Sequence, residues 1–475
     1  MSNFHVVILG AGPAGLGAAH QLVHHPLARV TVLEENSWVG GIAGSFELAG
    51  VPVDFGSHRL HPTCDPNILR DIRSLLGDDL LDRPRHGRIR LRNRWIHFPL
   101  RPFNLALRLP PGFTIGVAAD VARKLLPKNN TAGQADTFSS VMENGLGHTI
   151  CRDFYFPYSH KIWGLDPGDI SMVQARRRVS NKSLGKMALR VLSSVPGFKP
   201  TGSGRFFYPR YGFGQISTAL YQAANAAGAI FLLNTRVNGL EVNKNGNYIV
   251  HFEREGLTQS LQANYIWSTI PITILAQILR PAPPQPLLKI AEQINYRAMV
   301  LIYLVLEQDR FSEYDAHYFP EENLKITRLS EPKNYGDRQE PKNRTVLCAE
   351  LPCSPDSPEW NLCDTNLGRL VCDSLATAGI PVKAPVLEVV VRRLRYAYPI
   401  YHKGYEEQFD QLVNWIDQIE GLLTFGRQGL FTHDNTHHAL YMAYSAVSCL
   451  DEHGHFNQQR WQDFRRVFET HIVED

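Results

Sequence analysis

Apolar and polar positions change period several times along the chain, and the changes mark out short strands and helices. Val6, Val7, Ile8 and Leu9 form an unbroken apolar run that ends at a glycine, the pattern of a strand buried on both faces. From 14 to 27 the apolar spacing becomes helical, and 29–33 reads as a second strand. Further helices are expected at 66–76, 215–227 and 436–450. Strands are expected at 230–233, 248–252, 265–271, 296–306 and 386–395. Residues 101–200 read as mostly helical, interrupted at Pro110, Pro111 and Gly112 and again at Pro127. Residues 331–366, rich in Pro, Asn, Asp and Ser, read as loops. Arg88, Arg90, Arg92 and Arg94 alternate with Ile89 and Leu91, which on one strand puts the arginines on one face. A solvated face is the simpler reading of that run than an anion-binding wall.

The opening order of strand, glycine turn, helix and strand predicts an α/β fold. Its first part is a discontinuous Rossmann-like dinucleotide-binding domain, made of residues 1–80, 205–275 and 415–475. The second is a mixed α+β substrate domain, made of a mainly helical insert, 81–204, and a mixed sheet, 276–414.

The spacing of Gly10, Gly12 and Gly15 is that of a phosphate-binding turn, with Pro13 and Ala14 opening the helix behind it. Gly10 permits the tight turn, Gly12 lets the backbone approach a pyrophosphate, and Gly15 lets the helix pack closely. Glu34, followed by Glu35, comes at about the twenty-residue distance expected of a carboxylate that binds a ribose diol. A second glycine pair, Gly40 and Gly41, then leads into Ile42 and Ala43, and Asp54, Gly56 and His58 follow. An NAD site is largely complete before that second pair. No other strand, glycine turn and helix unit occurs, so no separate NAD domain is expected.

This opening resembles the FAD-binding start of the amine oxidase, protoporphyrinogen oxidase and UDP-galactopyranose mutase superfamily, and the resemblance implies FAD as cofactor. It implies that Gly41, Ile42 and Ala43 lie along the FAD chain, that His58 approaches the flavin, and that Val237 lies near the adenine. Within that superfamily, four segments look like UDP-galactopyranose mutase: Lys161 to Gly164 with Arg178; Tyr318 to Glu321 with Arg328 and Tyr335; Tyr398 to Ile400; and Gly426 to Gly429 with Asn435 and Thr436. The mutase resemblance implies that Arg178, Arg328, Tyr335 and Tyr398 hold a nucleotide diphosphate and that Arg427 lies by the cofactor. His433 stands where that family has a second diphosphate tyrosine. The substrate implied is a small molecule, a UDP-sugar in the mutase reading, handled by reduced flavin with an external reductant such as NAD(P)H. The alternative is an FAD-dependent oxidoreductase acting on a small organic substrate in an apolar pocket.

Composition adds bounds. The chain has 475 residues, enough for two domains, and a net charge of +3 gives no reason to invoke nucleic acid. The longest apolar run, 298–306, is too short to span a bilayer, and the first strand begins too early to leave room for a signal peptide. Seven scattered cysteines without a CxxC pair fit a reduced, cytoplasmic protein. His433, His437 and His438 lack a ligand-like pattern, so no metal centre is expected.

Overall fold

The computed structural model describes residues 4–99, 108–125, 137–178, 204–242 and 246–473. Phe4–Leu9 lies at the middle of a five-stranded parallel sheet, where Val6, Val7 and Ile8 are fully buried. Across this sheet run Leu422–Thr424, Tyr265–Ser268, Phe4–Leu9, Ala28–Leu33 and Ile230–Leu232. The chain leaves Phe4–Leu9 toward Ala28–Leu33 and returns much later on the other side at Tyr265–Ser268. That reversal opens a crevice beyond the carboxyl ends of the strands, the usual ligand position in such sheets.

The helix Pro13–Leu22 lies against Thr436–Ser448 so closely that a Cβ on Gly17 would come 2.9 Å from the Leu440 side chain. It ends five residues before the expected 27. Pro26 disfavours helical geometry in the residue before it, so the chain turns early into Ala28–Leu33.

A seven-stranded mixed sheet forms the second layer, in the order Val386–Pro399, Tyr296–Leu306, Thr345–Cys353, Arg328–Ser330, Ala316–Tyr318, Gly87–Leu91 and Arg94–Phe98. Thr345–Cys353 corrects the reading of 331–366 as loops. It is buried along its whole length and pairs with both Tyr296–Leu306 and Arg328–Ser330. Flanking Pro and Asn residues mask its apolar run in the sequence. The arginine stretch is corrected too: positive φ at Arg92 and Asn93 makes a hairpin turn, so the arginines do not share one strand face. Arg90 is engaged by Glu321, Arg92 by Asp153, and Arg88 lies between the rings of Trp95 and Tyr314. The helical insert has a small core of its own around Phe138, Met142 and Trp163. Among the described residues no helix is long and apolar enough to cross a membrane.

Two predictions follow from this packing. A Cβ on Gly15 would lie 2.0 Å from the Gly10 carbonyl oxygen, a backbone atom that cannot swing away. Gly15→Ala should therefore cost about 1–3 kcal/mol or more, read as a lower unfolding midpoint in urea; an unchanged midpoint would refute the close approach. The second concerns acid stability. Burial pushes His58 down to about 4, His317 to about 3 and His437 to about 2, from 6.5. The unfolded chain therefore binds protons that the folded chain excludes, and stability should fall as pH drops from 6.5 toward about 4. Asp54, raised by burial from 3.8 to about 6, opposes this over its own range, as do the carboxyls of Asp315, Glu331, Asp410 and Asp417, which burial also raises; the three histidines carry the larger shifts. Melting across this range should show the decline, and His317→Phe should make it shallower; an unchanged slope would remove His317 from the account.

Candidate active site

Four distant segments meet at the turn after Phe4–Leu9. Gly10 has φ +97°, and a Cβ there would strike the Thr269 hydroxyl at 2.7 Å. The Gly40 amide donates to the Ala11 carbonyl (2.7 Å), which brings the second glycine pair over the first turn. A Cβ on Gly41 would be 3.4 Å from the Gly12 Cα, whereas a Cβ on Gly12 would meet nothing within 4 Å. Space is thus kept beside Gly12, at the N-terminus of Pro13–Leu22, where helix amides favour an anion. At Gly426 a Cβ would lie 2.7 Å from the Ala14 Cβ, so the far end of the chain closes on the same helix start. This cradle fits the pyrophosphate of a dinucleotide.

Glu34 is buried, and its carboxylate is already well occupied. It accepts from the Ala11 amide at 2.7 Å and from the Asn36 backbone and side-chain nitrogens at 2.9 and 2.6 Å. A carboxylate has about four acceptor positions, so one remains for a ribose hydroxyl unless Asn36 moves away. The Thr235 amide bonds to the Glu34 carbonyl (2.8 Å), which lays the strand Thr235–Val242, with Val237, beside the Glu34–Glu35 loop.

The second half of the site is a narrow cleft of about 50 Å³ between the seven-stranded sheet and the 42–58 segment, whose walls include Ile42, His58, Arg328, Glu350, Tyr398 and Arg427. Apolar Phe55, Met299, Leu301 and Leu394 complete it. His58 donates from Nε2 to the Phe55 carbonyl (2.9 Å); because a carbonyl only accepts, the neutral ring keeps its lone pair on Nδ1. Burial, the largest influence, holds that ring neutral. Arg328 is gripped on one edge by Glu350, with Nε to Oε1 at 2.9 Å and Nη2 to Oε2 at 2.8 Å. The same carboxylate accepts from the Ser57 amide at 2.8 Å, so one buried acid fixes both the arginine and the loop that carries His58. Burial opposes the Arg328 charge, but Glu350 and nearby phenols outweigh it and keep the guanidinium fully protonated. Arg427 donates to the carbonyls of Asp434 (3.1 Å) and Ala397 (2.6 Å), with its guanidinium 5.2 Å from the Tyr398 ring centre.

Tyr335 stands one layer behind the cleft. Its hydroxyl accepts from Arg59 (2.9 Å) and bonds to the Ser57 hydroxyl (2.5 Å), while Arg59 also donates to the Tyr318 hydroxyl (3.1 Å). Sequence reasoning missed Arg59, Ser57 and Glu350. No spacing marks them, and Glu350 lies on the strand hidden in the loop-like stretch. The Arg178 side chain lies outside the described residues; its backbone ends the helix Met172–Arg178.

Asn435 caps Thr436–Ser448 in a reciprocal capping box with His438, and this places Thr436 at the helix start, next to the Arg427–Asp434 contact. Asp434, His438 and His471 bring three ligand atoms within 4.8 Å of one another. The rings of His438 and His471 are stacked, with centres 4.2 Å apart and planes within 14°. An imidazole lone pair lies in the ring plane, so two stacked rings do not point at one shared ion. The His471 ring is instead 3.3 Å from the buried Asp434 carboxylate.

The fold agrees with the comparisons. The chain's fold matches the crystal structure of a reduced UDP-galactopyranose mutase with a TM-score of 0.80, at 18% identity, over 99% of this chain and 100% of that one. It also matches a putative protoporphyrinogen oxidase from Exiguobacterium sp. 255-15 with a TM-score of 0.72, at 18% identity, over 94% and 98%. A polyamine oxidase 5 of Oryza sativa subsp. japonica is 35% identical over 72 residues, which span 15% of this chain and only 14% of that protein. A family model described as flavin containing amine oxidoreductase matches residues 13–417. The chain therefore belongs to the flavin-containing amine oxidoreductase family.

Proposed function

We propose that this flavoenzyme binds FAD in the glycine cradle and uses reduced flavin to isomerise a small anionic substrate, a nucleotide-diphosphate sugar, in the cleft. The observation that carries the reading is that Arg328, Tyr398 and Arg427 line one opening, with Tyr318 beside Arg328 and the Arg59–Tyr335 pair behind it. Bound flavin supplies redox chemistry and, when reduced, a nucleophile, so the reading requires none from the protein. Gly12, Gly41 and the start of Pro13–Leu22 would hold the pyrophosphate, Glu34 the ribose, and Ile42, His58 and Arg427 would border the ring system.

Each side chain then has a defined task. Glu350 holds Nε and Nη2 of Arg328, and Nη1 makes no hydrogen bond among the described residues, which leaves two donors for a phosphate oxygen. Arg59 fixes the hydroxyls of Tyr318 and Tyr335 by donating to both, so neither phenol has to be ordered when substrate binds. Neutral His58 offers an acceptor at Nδ1 rather than a charge. The helix starting at Thr436 would favour negative charge on the cofactor's electron-rich end by about 0.3–2 kcal/mol. Electrons would come from an external donor such as NAD(P)H.

The second reading is oxidation of an apolar organic substrate. It is favoured by the apolar walls at Met299, Leu301 and Leu394, and by the neutralisation of Arg328 by Glu350.

Two tests bear on these readings. Gly12→Ala has room for its methyl, so folding should be unchanged while FAD affinity drops by about tenfold or more, each tenfold being 1.4 kcal/mol. FAD released on denaturation measures this, and full FAD content in the variant would remove Gly12 from the cofactor seat. For the substrate, Arg328→Lys keeps a cation beside Glu350 but loses the paired donors. UDP affinity, followed by calorimetry or flavin fluorescence, should weaken by about one to two powers of ten. Arg328→Ala is the poorer test, because leaving Glu350 buried and unpaired costs about 3–5 kcal/mol of folding stability. Equal UDP affinity in wild type and Arg328→Lys would free Arg328 of the role. No UDP binding by wild type at all would transfer the assignment to the oxidoreductase reading.

A further inference from the structure

Lys161 lies on the insert helix Phe156–Trp163, but its Nζ is bonded to a different part of the chain. It donates to the carbonyl oxygens of Phe319 (2.6 Å), Ile326 (2.7 Å) and Glu321 (3.2 Å). All three belong to the loop joining Ala316–Tyr318 to Arg328–Ser330. The ladder pair at the base of that loop is Tyr318 with Arg328, and the Phe319 amide closes it on the Thr327 carbonyl at 2.9 Å. An ammonium has three N–H donors and no acceptor, so three carbonyls are its full complement. A neutral amine has one donor too few.

The surrounding charges do not replace this arrangement. Glu321 turns its carboxylate to Arg90 and to the Asn93 amide, so it is already engaged. Lys325 of the same loop pairs outward with Glu359. On the insert helix, His160 faces Asp166. Burial pushes Lys161 down to about 7, with Glu321 and then Glu322 drawing it partly back.

We infer that Lys161 is a positioning residue: its ammonium shapes the 319–327 loop and thereby fixes the Tyr318–Arg328 pair, and with it Arg328 at the cleft, tying both to the helical insert. The loop coupling is independent of the proposed substrate; only its effect on ligand affinity rests on that reading. A lysine that merely filled space would be replaced without loss by Met. One that acts through its proton makes loop order depend on pH.

The test is hydrogen exchange of the amides between 316 and 330 in the FAD-loaded protein, at about pH 6 and about pH 9, corrected for intrinsic exchange. Wild type and Lys161→Met are compared, with UDP titrations alongside. Losing a charge-assisted hydrogen bond should lower protection by about ten- to a hundredfold. That loss is expected in wild type on going to pH 9, and in Lys161→Met at both pH values, with FAD content unchanged. Equal protection in the two proteins, or the same pH response in both, overturns the inference. Should Lys161→Met fail to fold, wild type alone decides: loop exchange that does not change with pH overturns it. If wild type binds UDP, its affinity should fall in step with loop protection. Failure of wild type to bind UDP counts against the substrate reading alone, since the exchange experiment needs no ligand.

Discussion

The turn at Gly10–Gly15 leaves no room for a side chain at Gly10 or Gly15, and much of the structure closes on it. Its helix sits close enough to the strand end for Gly15 to lie under the Gly10 carbonyl. Segments from three other parts of the chain then use that closeness. The Glu34 carboxylate receives the Ala11 amide, Gly40 bonds to the Ala11 carbonyl, and Gly426 abuts Ala14. Here the contacts leave one open position, at Gly12, at the positive end of a helix.

The cleft is built on a different principle. Its charged groups are held by partners that fix their direction without hiding them. Glu350 grips one edge of Arg328, and Arg427 is tied to two carbonyls. Arg59 stands behind Tyr318 and Tyr335. Such groups are already oriented before a ligand arrives, which is the condition under which buried dipoles and charges contribute most. The arrangement also tempers the field: with Glu350 beside it, Arg328 presents hydrogen-bond donors with little net charge.

Buried cations on helices beside the second sheet follow the same pattern. Lys333, fully buried, donates to the carbonyls of Asp309, Pro341 and Arg344 and to the Asp309 carboxylate. Lys161 uses only carbonyls. Charges removed from water must regain their hydrogen bonds from the protein, and loops whose carbonyls have no ladder partner can provide them. Irregular segments thus meet single lysines through their backbone carbonyls.

Local spacing by itself determined the parallel sheet and its glycine turn, because a strand, a tight turn and a helix are each coded within a few residues. His58, Arg328, Tyr398 and Arg427 are singled out by family resemblance rather than by spacing, and the fold brings these four side chains to one cleft. Tertiary structure decided what each of these groups touches. Thr345–Cys353 reads as loop because Pro and Asn flank it, yet burial between two neighbours makes it a strand, and with it Glu350 becomes the partner of Arg328. Arg88 to Arg94 read as one face until the positive φ of Arg92 and Asn93 folds them into a hairpin. Glu34 reads as a ribose ligand, and only the folded chain shows that most of its acceptor positions are taken by Ala11 and Asn36. Periodicity is a property of neighbouring residues and survives in the sequence. Hydrogen-bond and charge partners hundreds of positions apart, such as Ser57 and Glu350, are fixed only when the sheets pack.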